Sequence, residues 1–491
     1  MNQRIRRLAV ALLALYAILF VQLNVIQVGR KSNLDADARN TRLTVRTFND
    51  PRGEITTIDG KVIAESVRSE PASEHPWKRV YADGELYAHV TGYYTFAYGA
   101  TQVERVANDV LAGRTAEQQV KGLASLFDGG DTTGTVVTTI DSKIQAAARR
   151  ALGEREGSVV VVDVRTGAVK ALWSFPSFDP NLLTTEDDDL AGSIIQYLND
   201  VPGDPLLANS YQQRYMPGST FKVITTAAAL DAGTIGLGSV FAEESEFLPP
   251  QTTDPIANYK NKVCGGDLTE VFRRSCNTPF ARTALELGPQ KLTAAAQRFG
   301  IGESLPFDLP RSAASTFGTA DYFEDNLPLL AIGGFGQGNT QMVPLHMALV
   351  AASVANGGAM MKPYVIDSTR DHDGRLLDRT RPSVWKQAMT PESSTILTQL
   401  MTEVVRNGTA SCCFQLANGV QSAAKTGTAQ LNGPGEPERS HAWIIGFAPV
   451  DTPRYAIAVM LKGTNAEISE GTGGRLAGPV AKAVMDVALT R

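Results

Sequence analysis

A turn that runs straight into an apolar helix sets the first limit on this fold. Met216, Pro217 and Gly218 interrupt regular structure, and the alanine-rich run from Val223 to Leu230 follows without a break. Apolar residues at that density predict a buried helix, so the rest of the chain has to supply a core around it. Ser219 falls in the first turn. Ser219 and Lys222, three residues apart, then share one face, which sets an amine near a hydroxyl that is a poor nucleophile until its proton is removed. The unpaired backbone N–H groups of the same turn suit an oxyanion forming on a carbonyl that the serine attacks.

The spacing alone carries little, because Ser383 with Lys386 and Ser422 with Lys425 repeat it. Ser383 is followed by polar residues and no buried helix, and Ser422 leads into a different motif. Only Ser219 has both the turn and the apolar helix. Two further signals lie downstream: Ser275-Cys276-Asn277, the one serine-any-asparagine triplet, and Lys425-Thr426-Gly427-Thr428, which holds the one lysine-threonine-glycine. In this order the three motifs resemble the signature of penicillin-binding proteins and serine β-lactamases. Acyl transfer from a D-alanyl-D-alanine stem peptide needs a nucleophile, a proton acceptor, a proton route to the leaving amine, an oxyanion hole and an anchor for the terminal carboxylate. The resemblance implies that Ser219 attacks, Lys222 takes its proton, and Ser275 relays a proton to the departing D-alanine. It implies that Asn277 holds the peptide and Lys222, and that Lys425 lines the far wall. Thr426 and Thr428 would meet the substrate carboxylate, with the Thr428 N–H completing the oxyanion hole. Gly427 would let the substrate backbone lie against the strand.

At 491 residues with ordinary apolar and charged fractions, the chain has room for one large domain plus smaller modules. A net charge of −5 without a basic stripe argues against a nucleic-acid partner. Five scattered histidines lack metal-ligand spacing, so neither a metal nor a cofactor is expected. Arg4, Arg6 and Arg7 precede an almost uncharged segment, 8–28, long enough to span a bilayer. The arginines put the short tail, 1–7, in the cytoplasm and the remainder outside, in a single-pass arrangement in contact with membrane lipid. The competing reading is a cleaved signal with Ala36-Asp37-Ala38 as its site; Arg30, Lys31, Asp35 and Asp37 intervene, which favours an uncleaved anchor. Gln22, Asn24 and Gln27 weaken the outer half, either as interface residues or as a face for a partner helix.

Residues 29–138 read as a small, irregular mixed module. Arg52-Gly53-Glu54-Ile55 with Asp59-Gly60, and Tyr87 to Tyr93 with Gly99 and Glu104, resemble the amino-terminal segments of class B penicillin-binding proteins, although the gap before Asp59 is wider. That likeness assigns them to docking the module onto the catalytic domain. The large domain, 139–491, opens with Thr139-Ile140-Asp141 capping a helix, followed by a strand pair around Thr166-Gly167. Ser174 to Asn181, Gly336-Gln337-Gly338, Pro344 to Ala348 and Ala355 to Gly358 extend the likeness. The chain ends as a strand from Lys425, a loop at 431–440, two strands and a helix. The expected fold is therefore α/β (α+β): a central antiparallel sheet flanked by helices, behind a small module and one transmembrane helix.

The whole pattern is identified as a class B, monofunctional transpeptidase, closest in length and module to the actinobacterial members. The resemblance implies peptidoglycan cross-linking in cell shape or division, covalent capture of β-lactams, and a separate polytopic glycan polymerase of the shape, elongation, division and sporulation class. A D,D-carboxypeptidase or β-lactamase, and a non-catalytic sensor or division scaffold, stay open beside it. Glu324 is the nearest candidate for a β-lactamase-type second base, yet its neighbourhood reads as a solvated loop. For Cys264 and Cys276 the alternatives are a short bridge at the Ser275 motif or buried free thiols. The adjacent Cys412 and Cys413 are not expected to bridge each other.

Overall fold

The computed structural model describes residues 2–26, 48–119, 132–432, 436 and 439–490. The amino-terminal helix, α1 (Asn2–Asn24), takes in the three arginines as well as the apolar run. Its 22 residues from Gln3 to Asn24 are long and apolar enough to cross a bilayer. The Asn24 amide donates to Phe20 O within the helix (2.8 Å), so one of its N–H groups is bonded inside α1. Gln27, the polar run 33–42 and the Ala36-Asp37-Ala38 site lie outside the described residues, as do Gly433 to Gly435 and Pro437 of the expected loop.

In chain order the strands of the larger sheets are β1 (Ile55–Thr56), β2 (Val62–Arg68), β3 (Trp77–Tyr81), β4 (Thr135–Thr138), β5 (Gly157–Asp163), β6 (Val169–Phe175), β7 (Ile366–Arg370), β8 (Leu376–Arg379), β9 (Ala423–Gln430), β10 (Ser440–Ala448) and β11 (Tyr455–Leu461), with short two-stranded pairs beside them. They form two main sheets. The first runs β8-β7-β4-β1-β2-β3 and belongs to the amino-terminal module. Composition suggests an irregular module there, but a six-stranded sheet stands in its place. Two of its strands, β7 and β8, come from far beyond residue 138, so the module is not continuous in sequence. Short, half-exposed strands such as β7 and β8 carry too weak an alternation to announce themselves. The half-buried Asp308 carboxylate fixes the start of β7 by accepting from the N–H groups of Val365 (2.9 Å) and Ile366 (2.8 Å).

A buried ionic knot fills the module. Glu104 takes Arg52 Nε at 3.0 Å on one oxygen and Arg79 Nε at 2.6 Å on the other, while Arg52 stacks on Tyr94. Both expected stretches reach the large domain: the Asp59 carboxylate accepts from Ser142 N (2.9 Å) and Ser142 Oγ (2.6 Å), and helix α2 (Gly84–Thr91) contains the expected Tyr87 to Thr91 run. Leu86 O accepts from Gln145 Nε2 (2.9 Å), and buried His89 Nε2 donates to Pro205 O (2.9 Å).

The second sheet, β9-β10-β11-β5-β6, is antiparallel throughout and carries the core. Its strands are buried nearly end to end because helices cover both faces. The helices that frame the sheet and the site are α3 (Ser142–Leu152), α4 (Lys222–Asp231), α5 (Leu268–Arg274), α6 (Thr278–Arg298), α7 (Pro344–Ala355), α8 (Pro391–Asn407) and α9 (Gly473–Leu489). The Asp141 carboxylate caps α3 from outside its first turn, accepting from Lys143 N and Ile144 N. Helices α3 and α9 pack together on the sheet, and the fully buried α7 lies against β5, β10 and β11.

Both cysteine pairs are bridged, Cys264 to Cys276 and Cys412 to Cys413. The second bridge overturns the expectation for chain neighbours. That expectation assumes the opposed side chains of extended backbone, but residues 409–413 form a turn in which Cys413 N and Phe414 N both donate to Ala410 O, and the alternation is lost.

Candidate active site

The turn before α4 is a short 3₁₀ segment, Gly218–Phe221, that passes directly into the helix at Lys222. It is pinned from three sides. Trp443 Nε1 donates to Met216 O at 2.9 Å, Thr220 Oγ1 donates to Pro217 O at 2.8 Å, and Gly218 N donates to Gly336 O at 2.9 Å. Gly336 has a positive φ, and a Cβ there would meet Gly218 O at 2.2 Å, which accounts for the first glycine of the Gly336-Gln337-Gly338 motif. Ser219 is left half-buried at the mouth of the turn, and Lys222, one helical turn on, is wholly enclosed.

Helices α5 and α6 break apart at the second motif. Ser275 ends α5 in the left-handed region (φ 63°), an unusual conformation for a residue with a side chain. That reversal turns successive carbonyls inward. Lys222 Nζ donates to Ser275 O (2.8 Å), Cys276 O (2.6 Å) and Asn277 Oδ1 (2.9 Å). Asn258 supports the motif from behind, its Oδ1 accepting from Asn277 N (2.6 Å) and Thr278 N (3.1 Å).

The third motif sits on β9, the edge strand beside the turn. Lys425 Nζ donates to Ser275 Oγ at 2.8 Å and to Thr426 O at 2.9 Å. Ser275 therefore joins both lysines, one through its carbonyl and one through its hydroxyl. Gly427 faces the turn, where a Cβ would meet Pro217 O at 2.5 Å. The close approach that demands glycine is thus made by the Ser219 turn itself.

Strand alternation puts Thr426 and Thr428 on the other face from Lys425. There Thr426 Oγ1 meets Thr409 Oγ1 at 2.6 Å, and Thr428 Oγ1 accepts from Gly473 N at 3.2 Å. The sequence gives no warning of Thr409 or Asn258. Thr409 follows α8 in an ordinary polar turn, and Asn258 belongs to no motif.

The same periodicity disposes of the decoys. Ser383 and Lys386 lie at and within the strand Val384–Gln387, and Ser422 immediately precedes β9. Residues three apart on a strand point to opposite faces, so neither pair faces one another. Glu324 ends a short exposed helix, and its carboxylate accepts from Gln290.

Electrostatics favours uncharged amines here. Burial drives Lys222 well below the ordinary lysine range, and the charge of Lys425 pushes it further. Burial alone brings Lys425 down to about 7. The hydrogen-bond partners of both lysines are neutral oxygens, and the rings nearby are Phe280 and Phe335 around Lys222 and Phe272 near Lys425. No full negative charge among these neighbours offsets the cost of burying an ammonium ion. A neutral Lys222 has two N–H groups to share among its three oxygen neighbours and a lone pair to accept a proton, and a half-buried hydroxyl one turn away has a proton to give.

Residues 157–486 match the family described as penicillin binding protein transpeptidase domain, and residues 52–137 match the penicillin binding protein A dimerisation domain. The chain is 36% identical to the peptidoglycan D,D-transpeptidase PbpA of Mycolicibacterium smegmatis, over 100% of this chain and 99% of that one. Among solved structures it is similar to penicillin-binding protein A from M. tuberculosis in its ceftriaxone acyl-enzyme complex, with a TM-score of 0.84, 33% identity and coverage of 91% of this chain and 100% of that one. The penicillin G acyl-enzyme complex of the same protein superposes with a TM-score of 0.82 at 34% identity, covering 89% and 99%.

Proposed function

The chain belongs to the penicillin-binding protein transpeptidase family, and we propose that it works as a peptidoglycan D,D-transpeptidase in which Ser219 is acylated by the stem peptide, or by a β-lactam in its place. The observation that carries the residue roles is the meeting of three motifs on two buried lysines: Lys222 against Ser275 O, Cys276 O and Asn277 Oδ1, and Lys425 against Ser275 Oγ. Lys222 takes the Ser219 proton as the hydroxyl attacks the D-alanyl carbonyl. The backbone N–H groups of Ser219 and Thr428 receive the oxyanion. Ser275, held by Lys425, passes a proton to the leaving D-alanine amine, and Asn277 holds the peptide as well as Lys222. The Thr426 and Thr428 hydroxyls, side by side on one strand face, anchor the terminal carboxylate. The acceptor amine of a second stem peptide then takes the acyl group and frees Ser219.

Helix α1 anchors the enzyme in the membrane as a single span. The arginines at its start favour the cytoplasmic side and leave the catalytic domain outside. The glycan strands to be cross-linked come from a separate polytopic polymerase of the shape, elongation, division and sporulation class, a partner supported by family resemblance.

Exchange against hydrolysis tests the reaction. Given a D,D-pentapeptide or thioester analogue and a D-amino acid acceptor, the protein should yield mainly the exchanged peptide. Release of only the shortened free acid would instead make it a carboxypeptidase.

A further inference from the structure

We propose that the side chain of Gln337 caps the free edge of β9 and so limits how much of the acyl donor's backbone the enzyme reads. The proposal rests on the reading of Ser219 as nucleophile and of Thr428 as the residue the donor docks against. Strand β9 is the last in its sheet and has β10 on one side only. Just past its end, Leu431 N donates to Arg439 O at 2.7 Å, on the β10 side. Backbone polar groups of a strand alternate sides from one residue to the next, so those of Thr426, Thr428 and Gln430 aim away from β10, at the free edge.

The stations on either side of Thr428 are already taken. Lys425 Nζ donates to Thr426 O at 2.9 Å. At Gln430 the partner is the Gln337 side chain. Of the two ways its amide can be set, one satisfies both ends, with Nε2 donating to Gln430 O at 3.3 Å and Oε1 accepting from Gln430 N at 3.1 Å. A primary amide bonded in this way imitates one residue of a neighbouring strand. Between the two, Thr428 N and O have no partner among the described residues. The cap is also fixed to the nucleophile's turn. Gln337 N donates to Ile332 O at 3.1 Å, and the preceding Gly336 O accepts from Gly218 N at 2.9 Å.

A donor whose terminal carboxylate lies toward Thr426 sends its upstream residues toward Gln430. The D-alanine under attack pairs with Thr428. The next residue to face the strand is two positions upstream and arrives about 7 Å further along, at Gln430. Gln337 fills that place, so the donor leaves the strand after a single residue. An uncapped edge would instead take up extended peptide along its length.

Two acyl donors test the cap: an N-acetyl-D-alanyl thioester, and the same compound lengthened by two α-linked residues before the D-alanine. Each is assayed on the full-length protein with a D-amino acid acceptor. For the wild-type protein the lengthened donor should have nearly the KM of the short one. In Gln337→Ala the freed N–H and C=O of Gln430 should lower the KM of the lengthened donor by on the order of tenfold, while the short donor keeps its KM and both keep their kcat.

A merely structural role would impair both donors alike, and direct contact of Gln337 with the donor would raise the KM of the lengthened one. Either result would overturn the proposal, as would two donors that stay matched in the variant. Should Gln337→Ala not fold, Gln337→Asn, one methylene shorter, breaks the same pair with less loss of volume and is expected to give the same split. Failure of the transpeptidase reading is distinguishable, because the wild-type protein would then be acylated by neither donor nor penicillin. Failure of the cap leaves those acylations intact and removes only the split.

Discussion

Replacing Lys425 by methionine should make the protein more stable at neutral pH while disabling it. The fall of Lys425 from the ordinary lysine value to about 7 corresponds to about 5 kcal/mol at roughly 1.36 kcal/mol per pH unit. The folded state forgoes that amount in full below about pH 7, and progressively less as pH rises toward the unfolded value. Methionine fills similar volume without the charge, but it leaves Ser275 Oγ and Thr426 O without their donor, a loss of about 1–3 kcal/mol. The net gain below pH 7 is about 2–4 kcal/mol, or a few degrees in melting temperature.

The sign fixes the pH window. A lysine with a depressed folded-state pKa binds its proton better in the unfolded chain, so wild-type stability rises as pH climbs from about 7 toward ~10.4, where both states are neutral. The variant lacks that rise. The two stability curves should therefore cross, with methionine ahead at pH 7 and behind near pH 10, in melts of the full-length protein across that range. Parallel curves would refute the claim that burial holds Lys425 neutral. Penicillin acylation by the variant should fall at the same time, since Ser275 loses its partner. Lys222, relieved of a neighbouring charge, would keep its proton to higher pH.

Ser219→Ala should abolish covalent labelling by penicillin, and Lys222→Arg should slow it by orders of magnitude with the fold retained, because arginine keeps its charge at any accessible pH; intact-protein mass spectrometry after a penicillin pulse reads both. Glu324→Gln should change neither the formation nor the persistence of the acyl-enzyme, because that carboxylate is exposed and bound to Gln290; rapid return to the unmodified mass, lost in the variant, would favour a β-lactamase. Glu104→Gln should destabilise the module by about 3–5 kcal/mol, as expected when a buried partner is removed from two arginines. Denaturant melts monitored in the module would check it, and an unchanged midpoint would mean that water or other groups satisfy Arg52 and Arg79.

What the sequence makes legible follows from what the chemistry forces. A nucleophile, a base and a proton relay require particular side chains, so Ser219, Lys222, Ser275 and Lys425 stand out once their order is noticed. The buried strands β5, β10 and β11 and the mostly apolar α7 are legible for the same kind of reason, since near-continuous burial requires near-continuous apolarity. The module resists because its logic is long-range. Strand β7 pairs with β4 across more than two hundred residues, and neither has enough apolar alternation to reveal the partner. The Arg52–Glu104–Arg79 knot is hidden in another way: charged residues in a polar segment read as solvated until the fold encloses them.

Within the site, the part that escapes sequence is main chain. Every residue carries a carbonyl, so nothing in Ser275-Cys276-Asn277 says that two of them turn toward Lys222. Only the left-handed turn at Ser275, a conformation rarely taken by serine, accomplishes it. The side-chain motif therefore names the reactive groups, while the break between α5 and α6 determines whether Lys222 is held ready. A variant that preserves all three motifs but straightens that break should lose acylation as surely as one that replaces the lysine. Ser275→Gly, which relieves the strain and removes the hydroxyl, conflates the two effects. A probe confined to the backbone path has to act from outside the motif, at Asn258. Its side chain bonds Asn277 N and Thr278 N, and Asn258→Ala should slow acylation without changing any motif residue. An unchanged acylation rate in that variant would mean the motif keeps its path unaided.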